Sequence, residues 1–165
     1  MQKRLFVDMD GTMTEWRVIQ SENELYKEGY FRSLRPVLPV IEAVNAARKN
    51  GVDVYILSCI LPDSRYALSE KISWLREHMP DIDEEHMLWV PYGKSKADFV
   101  KERFGLESLS EEDILLDDFS VNLHAWVKEN GTGIKAMNGC NGSKGTWKGP
   151  RLYENAAGTD LLSAI

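Results

Sequence analysis

Short apolar runs recur along this chain, each followed by a polar turn and then by a longer, periodically apolar stretch. The runs fall at about Arg4 to Asp8, Asp53 to Leu57, Met87 to Val90, Ile114 to Asp118 and Gly133 to Met137. They are too short for helices and too continuously apolar for half-exposed strands, so they predict strands buried on both faces. Between them apolar residues return at helical spacing. One such helix enters at Pro39, places Val40, Val44 and Ala47 inward and closes at Gly51. A second is opened by Pro62 and Asp63, carries Leu68, Ile72, Leu75 and Met79 on its apolar face, and stops at Pro80. A third runs from Lys94 to Phe104 with Ala97, Val100 and Phe104 inward, and ends at Gly105. A fourth runs from about Ser120 to Glu129 with Leu123, Trp126 and Val127 on one side. Strands alternating with helices predict an α/β fold: a parallel sheet with helices on both faces.

Two stretches break the rhythm. Residues 13–35 show neither a twofold nor a 3.6-residue period, and they mix aromatic and charged residues (Trp16, Tyr26, Tyr30, Phe31, Arg32). An irregular excursion of that length suggests a functional flap over the end of strand one, with a packed surface loop as the alternative. Asn138 to Gly149 is rich in Gly and Asn and predicts a loop. The last sixteen residues are mixed, compatible with a short edge strand and a terminal helical turn. No repeat or linker divides the chain, so a single domain over 1–165 is expected, with 13–35 as its insertion.

The polar residues at the strand ends change the picture. In parallel sheets, ligands sit beyond the carboxyl ends of the strands. Asp8, Asp10, Thr12, Ser58, Asp117 and Asp118 all lie at or just past predicted strand ends. The acid-x-acid spacing of Asp8 and Asp10 suits two carboxylates on one face of a strand, and Gly11 allows a sharp turn; an ordinary Asp-Gly turn would read the same way locally. Gathered carboxylates repel, by roughly 4 kcal/mol per pair at about 4 Å and an effective dielectric of about 20. A divalent cation would remove that repulsion. Oxygen donors without His or Cys favour magnesium, with calcium also compatible with the spacing. Ser58 could help hold phosphate oxygens with the next backbone N–H groups, including that of Cys59, or serve only as a helix cap. Lys94 and Lys96 stand near a helix start, where a cation is unfavourable without a partner.

Composition narrows the classes. The chain has 165 residues, 43% of them hydrophobic, and a formal net charge of -6. That disfavours a nucleic-acid polymer as partner. Two cysteines, Cys59 and Cys140, offer neither a disulfide framework nor metal-ligand spacing. No secretory signal and no membrane-spanning run is seen, so a cytoplasmic protein with no membrane partner is expected. Oligomeric state is not legible.

These residues resemble the haloacid dehalogenase (HAD) superfamily of phosphotransferases. Asp8-Met9-Asp10-Gly11-Thr12 matches its first motif, Ser58 its second, Lys96 (or Lys94) its third, and Asp117-Asp118 its acidic fourth. More narrowly, Leu25-Tyr26 through Gly29-Tyr30-Phe31-Arg32, Leu34 and Pro36, with Asn122 and Trp126 after the acidic motif, look like the 5'(3')-deoxyribonucleotidase family, although the insertion is much shorter than that family's helical cap. The resemblance implies a Rossmann-like sheet of order 3-2-1-4-5 with a very small cap. It implies a magnesium-dependent phosphomonoesterase in which Asp8 is the nucleophile and Asp10 the acid and base. Metal ligands would come from Asp8, Asp10 (through its main-chain carbonyl), Asp117 and, directly or through water, Asp118. Phosphate would be held by Asp10, Gly11, Thr12, Ser58, Cys59 and Lys96, and substrate contacts would come from Tyr30, Phe31 and Arg32. The implied substrate is a small phosphate ester, a (deoxy)nucleoside monophosphate first and a sugar phosphate as the alternative. A phospho-accepting signalling domain would share the acids and the lysine but would need neither Asp10 nor the flap.

Overall fold

The computed structural model of the chain describes residues 2–141, 145–153, 155 and 158–165. Residues 142–144 of the expected Gly/Asn-rich loop, and 154, 156 and 157 near the end, lie outside the described residues. Six strands form one sheet: β1 (Arg4–Val7), β2 (Asp53–Ile60), β3 (Met87–Pro91), β4 (Asp113–Asp117), β5 (Thr132–Met137) and β6 (Arg151–Tyr153). Their order is β3-β2-β1-β4-β5-β6, and every pairing is parallel. This is the expected order with one more strand at the edge. Five helices accompany the sheet: α1 (Leu38–Lys49), α2 (Ala67–His78), α3 (Lys96–Phe104), α4 (Ser120–Lys128) and α5 (Gly158–Ala164).

The alternation within β1 sets the two-layer core. Leu5 and Val7 face a cluster built with Val40, Val44 and Ala47 of α1, Trp74 and Leu75 of α2, and Leu161 of α5. Phe6 faces the opposite side, among Ala97 and Val100 of α3 and Leu123 and Trp126 of α4. Its ring stacks on Tyr55 at 5.3 Å and tilts against Trp126 at 5.1 Å. With apolar layers on both faces, most polar side chains of the sheet collect toward the ends of the strands. The switch point, where the chain leaves β1 toward opposite sides of the sheet, falls beside Asp8.

Several boundaries differ from the sequence reading, each for a local reason. β2 continues to Ile60 because β3 pairs with it that far: Ser58 opposite Trp89, Cys59 opposite Val90, Ile60 opposite Pro91. Ser58 therefore sits inside the strand. α2 starts at Ala67, not at Pro62, because Asp63 takes a left-handed φ of 58° and the chain turns again before the Ser64 hydroxyl accepts from the Ala67 N–H at 3.1 Å. α3 starts at Lys96 because Ser95 caps it, accepting from the Asp98 N–H at 3.3 Å. The buried face of α2 is Ala67, Glu70, Lys71, Trp74 and Leu75, whereas Leu68 is 41% exposed. Val127 of α4 likewise turns outward.

The excursion after β1 is stitched at its base. Thr14 and Pro36 form an antiparallel bridge, the Glu15 N–H donates to the Arg35 carbonyl at 2.8 Å, and the Val37 N–H donates to the Met13 carbonyl at 2.8 Å. A short 3-10 turn, Glu22–Tyr26, lies within it. Phe31 and Leu34 pack with Ala67 of α2 in a small cluster of their own. Among the described residues no helix is long and apolar enough to cross a membrane.

Candidate active site

β1 ends at Val7, and Asp8 is the first residue beyond the sheet. A wide turn follows over Met9–Met13, closed by the Thr14 N–H on the Met9 carbonyl at 3.0 Å. Gly11 makes this turn possible. Its φ is +80°, and a Cβ there would lie 2.6 Å from Asp118 Oδ2. The close approach of Gly11 brings the first acidic motif against the second.

The sheet gathers Asp8, Asp117 and Asp118, whose carboxylate oxygens lie within 4.8 Å of one another. Lys96, the first residue of α3, reaches across the strand ends. Its Nζ donates to Asp8 Oδ1 at 2.6 Å and to Asp117 Oδ2 at 2.7 Å, and it is buried. Lys94 is elsewhere: it pairs with Glu102 on the surface. Other donors also reach these carboxylates. Thr12 Oγ1 donates to Asp8 Oδ2 at 3.3 Å. The Phe119 N–H donates to Asp117 Oδ1 at 2.8 Å, and Asn122 Nδ2 to Asp117 Oδ2 at 3.0 Å. Asn138, just past β5, donates from Nδ2 to both Asp118 Oδ2 (3.0 Å) and the Gly11 carbonyl (2.9 Å). Asn141 Nδ2 donates to the Asp118 carbonyl at 3.1 Å.

Asp10 points a different way. Its carboxylate stands outside the three-acid group and faces β2. Oδ2 accepts from Lys71 Nζ and, weakly, from Ser58 Oγ at 3.5 Å. Oδ1 is buried and has no partner among the described residues. The Asp10 side chain is thus free of the metal-type cluster, and only its main chain is available to that group.

Electrostatics follow from this crowding. Burial pushes the Asp8 carboxyl up to about 7, the charges of Asp117 and Asp10 add to that, and Lys96 opposes it. Burial also raises Asp118, to about 8, reinforced by Asp8 and Asp117 and opposed by Asn138 and Lys96. Burial would lower Lys96, but Asp117 and Asp8 overcome it and hold the ammonium above its usual range. Burial pushes the Cys59 thiol up, so it stays neutral. Fully ionised, Asp8, Asp10, Asp117 and Asp118 face two ammonium groups, Lys71 and Lys96. The surplus of two negative charges matches a divalent cation, and the donors are hard oxygens throughout.

Of the residues proposed to touch substrate, Phe31 is 4% exposed and packs inside the flap, with Lys71 Nζ 4.6 Å from its ring centroid. Tyr30 is half-buried beneath the Arg17 guanidinium, and Arg32 is exposed. Trp16, by contrast, is 50% exposed and reaches the mouth: its Cε3 lies 3.1 Å from where a Cβ on Gly11 would stand.

Sequence reasoning missed Lys71, Glu70 and Asn138. Lys71 donates to Asp10, to Ser58 Oγ at 2.9 Å and to the Cys59 carbonyl at 2.8 Å. Glu70 accepts from the flap N–H groups of Gly29, Phe31 and Arg32. A signal did exist: Ala67, Glu70, Lys71 and Trp74 lie at i, i+3, i+4 and i+7, which is one helix face.

No family model and no curated relative matches the chain. Solved structures do share its fold. A D,D-heptose 1,7-bisphosphate phosphatase from Burkholderia thailandensis aligns over 98% of this chain and 97% of its own, with a TM-score of 0.64 and 12% identity. The same kind of enzyme from B. bronchiseptica, in complex with magnesium and phosphate, aligns over 99% and 100%, with a TM-score of 0.66 and 12% identity. A protein of Mesorhizobium loti assigned as a HAD-like phosphatase aligns over 99% and 85%, with a TM-score of 0.65 and 14% identity. The chain shares the fold of these three structures.

Proposed function

We propose that this chain is a HAD-type phosphomonoesterase that works through an aspartyl phosphate on Asp8. The observation that carries the reading is the convergence, at one sheet edge, of Asp8, Asp117 and Lys96 with a separately held Asp10. In the first step a carboxylate oxygen of Asp8 attacks phosphorus, and the bond from phosphorus to the ester oxygen breaks. Asp10 gives that departing oxygen its proton, because an alkoxide is a poor leaving group without one. In the second step Asp10 takes a proton from water as the water oxygen attacks phosphorus. Inorganic phosphate leaves and Asp8 is regenerated. Lys96 and the Ser58 hydroxyl face the charge on the transferring group, and Thr12 and Lys96 keep the Asp8 carboxylate in place.

The donor set fits magnesium, which Asp8, Asp117, Asp118 and the Asp10 carbonyl would hold. Bound there, it would neutralise charge on the phosphoryl group and relieve the repulsion among the acids.

For the substrate we favour (deoxy)nucleoside monophosphates. The half-exposed Trp16 offers a flat apolar face at the mouth on which a base could stack. The second reading, a sugar phosphate, is favoured by the fold shared with the heptose bisphosphate phosphatases. A panel of nucleotides and sugar phosphates, assayed with and without magnesium, tests both. Magnesium-dependent phosphate release that is lost in Asp8→Asn supports the assignment. Release that persists in Asp8→Asn rejects it.

A further inference from the structure

We propose that Lys71 is a positioning residue for the proton-transfer step, an inference that rests on the phosphomonoesterase reading above. Lys71 is 1% exposed, and a lysine is rarely buried so fully without paired charge. Its Nζ holds three groups at once: Asp10 Oδ2, Ser58 Oγ and the Cys59 carbonyl. No part of the three-acid cluster touches it, so it is not a spare partner for the metal-type site. It serves the other half of the chemistry.

Two consequences follow from the donor count. An ammonium only donates, so Ser58 Oγ must accept from Lys71, and its own proton is directed away from the lysine. That leaves the Ser58 proton for Asp10 Oδ2, 3.5 Å away, so Lys71 and Ser58 converge on the same carboxylate oxygen. In addition, Lys71 fixes Oδ2 of Asp10 and thereby aims Oδ1, the buried oxygen with no partner among the described residues. With Oδ2 held, the carboxylate that exchanges a proton with the ester oxygen and then with water keeps one orientation.

The flap is tied to the same residue. Phe31 lies over Lys71 Nζ at 4.6 Å, and the neighbouring Glu70 accepts from the N–H groups of Gly29, Phe31 and Arg32. One turn of α2 thus holds Asp10 with one side chain and the flap with the adjacent one.

The test compares Lys71→Met with the wild type on two esters, para-nitrophenyl phosphate and a simple primary alkyl phosphate. The first leaves readily without a proton, and the second does not. If Lys71 aims Asp10, kcat/KM on the alkyl ester, which reports the step that forms the phosphoenzyme, falls roughly a hundredfold, as expected for misplaced catalytic geometry, while kcat/KM on the aryl ester falls far less. Equal losses on both esters, or none on either, would overturn the proposal. Where Lys71→Met does not give a cooperative melt, Lys71→Gln is read in the same way, since it keeps a hydrogen-bond donor without the charge. If the wild type itself releases phosphate from neither these esters nor the nucleotide and sugar phosphate panel, the phosphatase reading has failed and this inference with it. Turnover by the wild type with unchanged leaving-group dependence in both variants removes the inference alone.

Discussion

The acidic cluster should make the metal-free protein less stable as pH rises, and Asp118→Asn isolates the effect. Asp118 is raised to about 8 from the usual 3.8, first by burial and then by Asp8 and Asp117. The folded chain therefore keeps this proton over a range where the unfolded chain has already lost it. Below the unfolded value the carboxyl contributes no difference. As pH rises from there toward 8 the unfolded state gains by ionising, and the penalty to folding is complete above about 8. At about 1.4 kcal/mol per tenfold change in proton affinity, the step from pH 5 to pH 8 costs roughly 3–4 kcal/mol through this one group. For a domain of this size that corresponds to roughly 10 °C in Tm. In EDTA, wild-type Tm should fall by at least that much between the two pH values, since Asp8, raised to about 7, adds to the loss, and Asp118→Asn should remove the share that Asp118 contributes. The substitution keeps a carbonyl oxygen to accept from Asn138. Excess magnesium chloride should restore the wild type at pH 8 and do less for the variant. Parallel pH trends for the two proteins in EDTA would refute the argument that these carboxylates are crowded and desolvated together.

Other consequences can be checked separately. Gly11→Ala places a Cβ 2.6 Å from Asp118 Oδ2 at a φ of +80°, so strain and overpacking together should cost roughly 2–4 kcal/mol in urea unfolding; a change below about 0.5 kcal/mol would mean the two motifs are not in contact. Lys96→Met strands Asp8 and Asp117 and should cost roughly 3–5 kcal/mol at neutral pH as well as activity, whereas Lys94→Ala breaks only a surface pair with Glu102 and should leave turnover unchanged; the opposite ranking would exchange the roles of the two lysines. Glu70→Ala removes the acceptor for three flap N–H groups, and hydrogen exchange at Gly29, Phe31 and Arg32 should accelerate while the β1 amides stay protected; equal protection in variant and wild type would show that the flap is held by other contacts.

The sheet was legible because buried parallel strands leave an unmistakable apolar trace, and Asp8 and Asp117 sit where such strands end, whereas Ser58 lies two residues before the end of β2. The convergence of the acids followed from topology alone. What was hidden depended on helix phase. Leu68 and Ile72 suggested one inward face for α2, but the helix turns Glu70 and Lys71 inward because buried carboxylate and flap amides await them there. Polar residues on a helix read as solvent-facing until their partners, distant in sequence, are known. Asn138 was hidden for the same reason: in a Gly/Asn-rich loop nothing distinguishes the one amide that bridges Gly11 and Asp118. The choice between Lys94 and Lys96 turned on a single cap, since Ser95 starts α3 and thereby orients Lys96 toward the strand ends.

The most direct test of the account is to find the phosphoryl group on the protein. Asp10→Asn, mixed with substrate and magnesium and quenched in acid, should yield a peptide containing Asp8 that is heavier by one phosphoryl group, and Asp8→Asn treated in the same way should not. A phosphoryl group on any other residue, or steady turnover by the wild type with no modified peptide in either protein, would contradict the assignment of Asp8 as the attacking group.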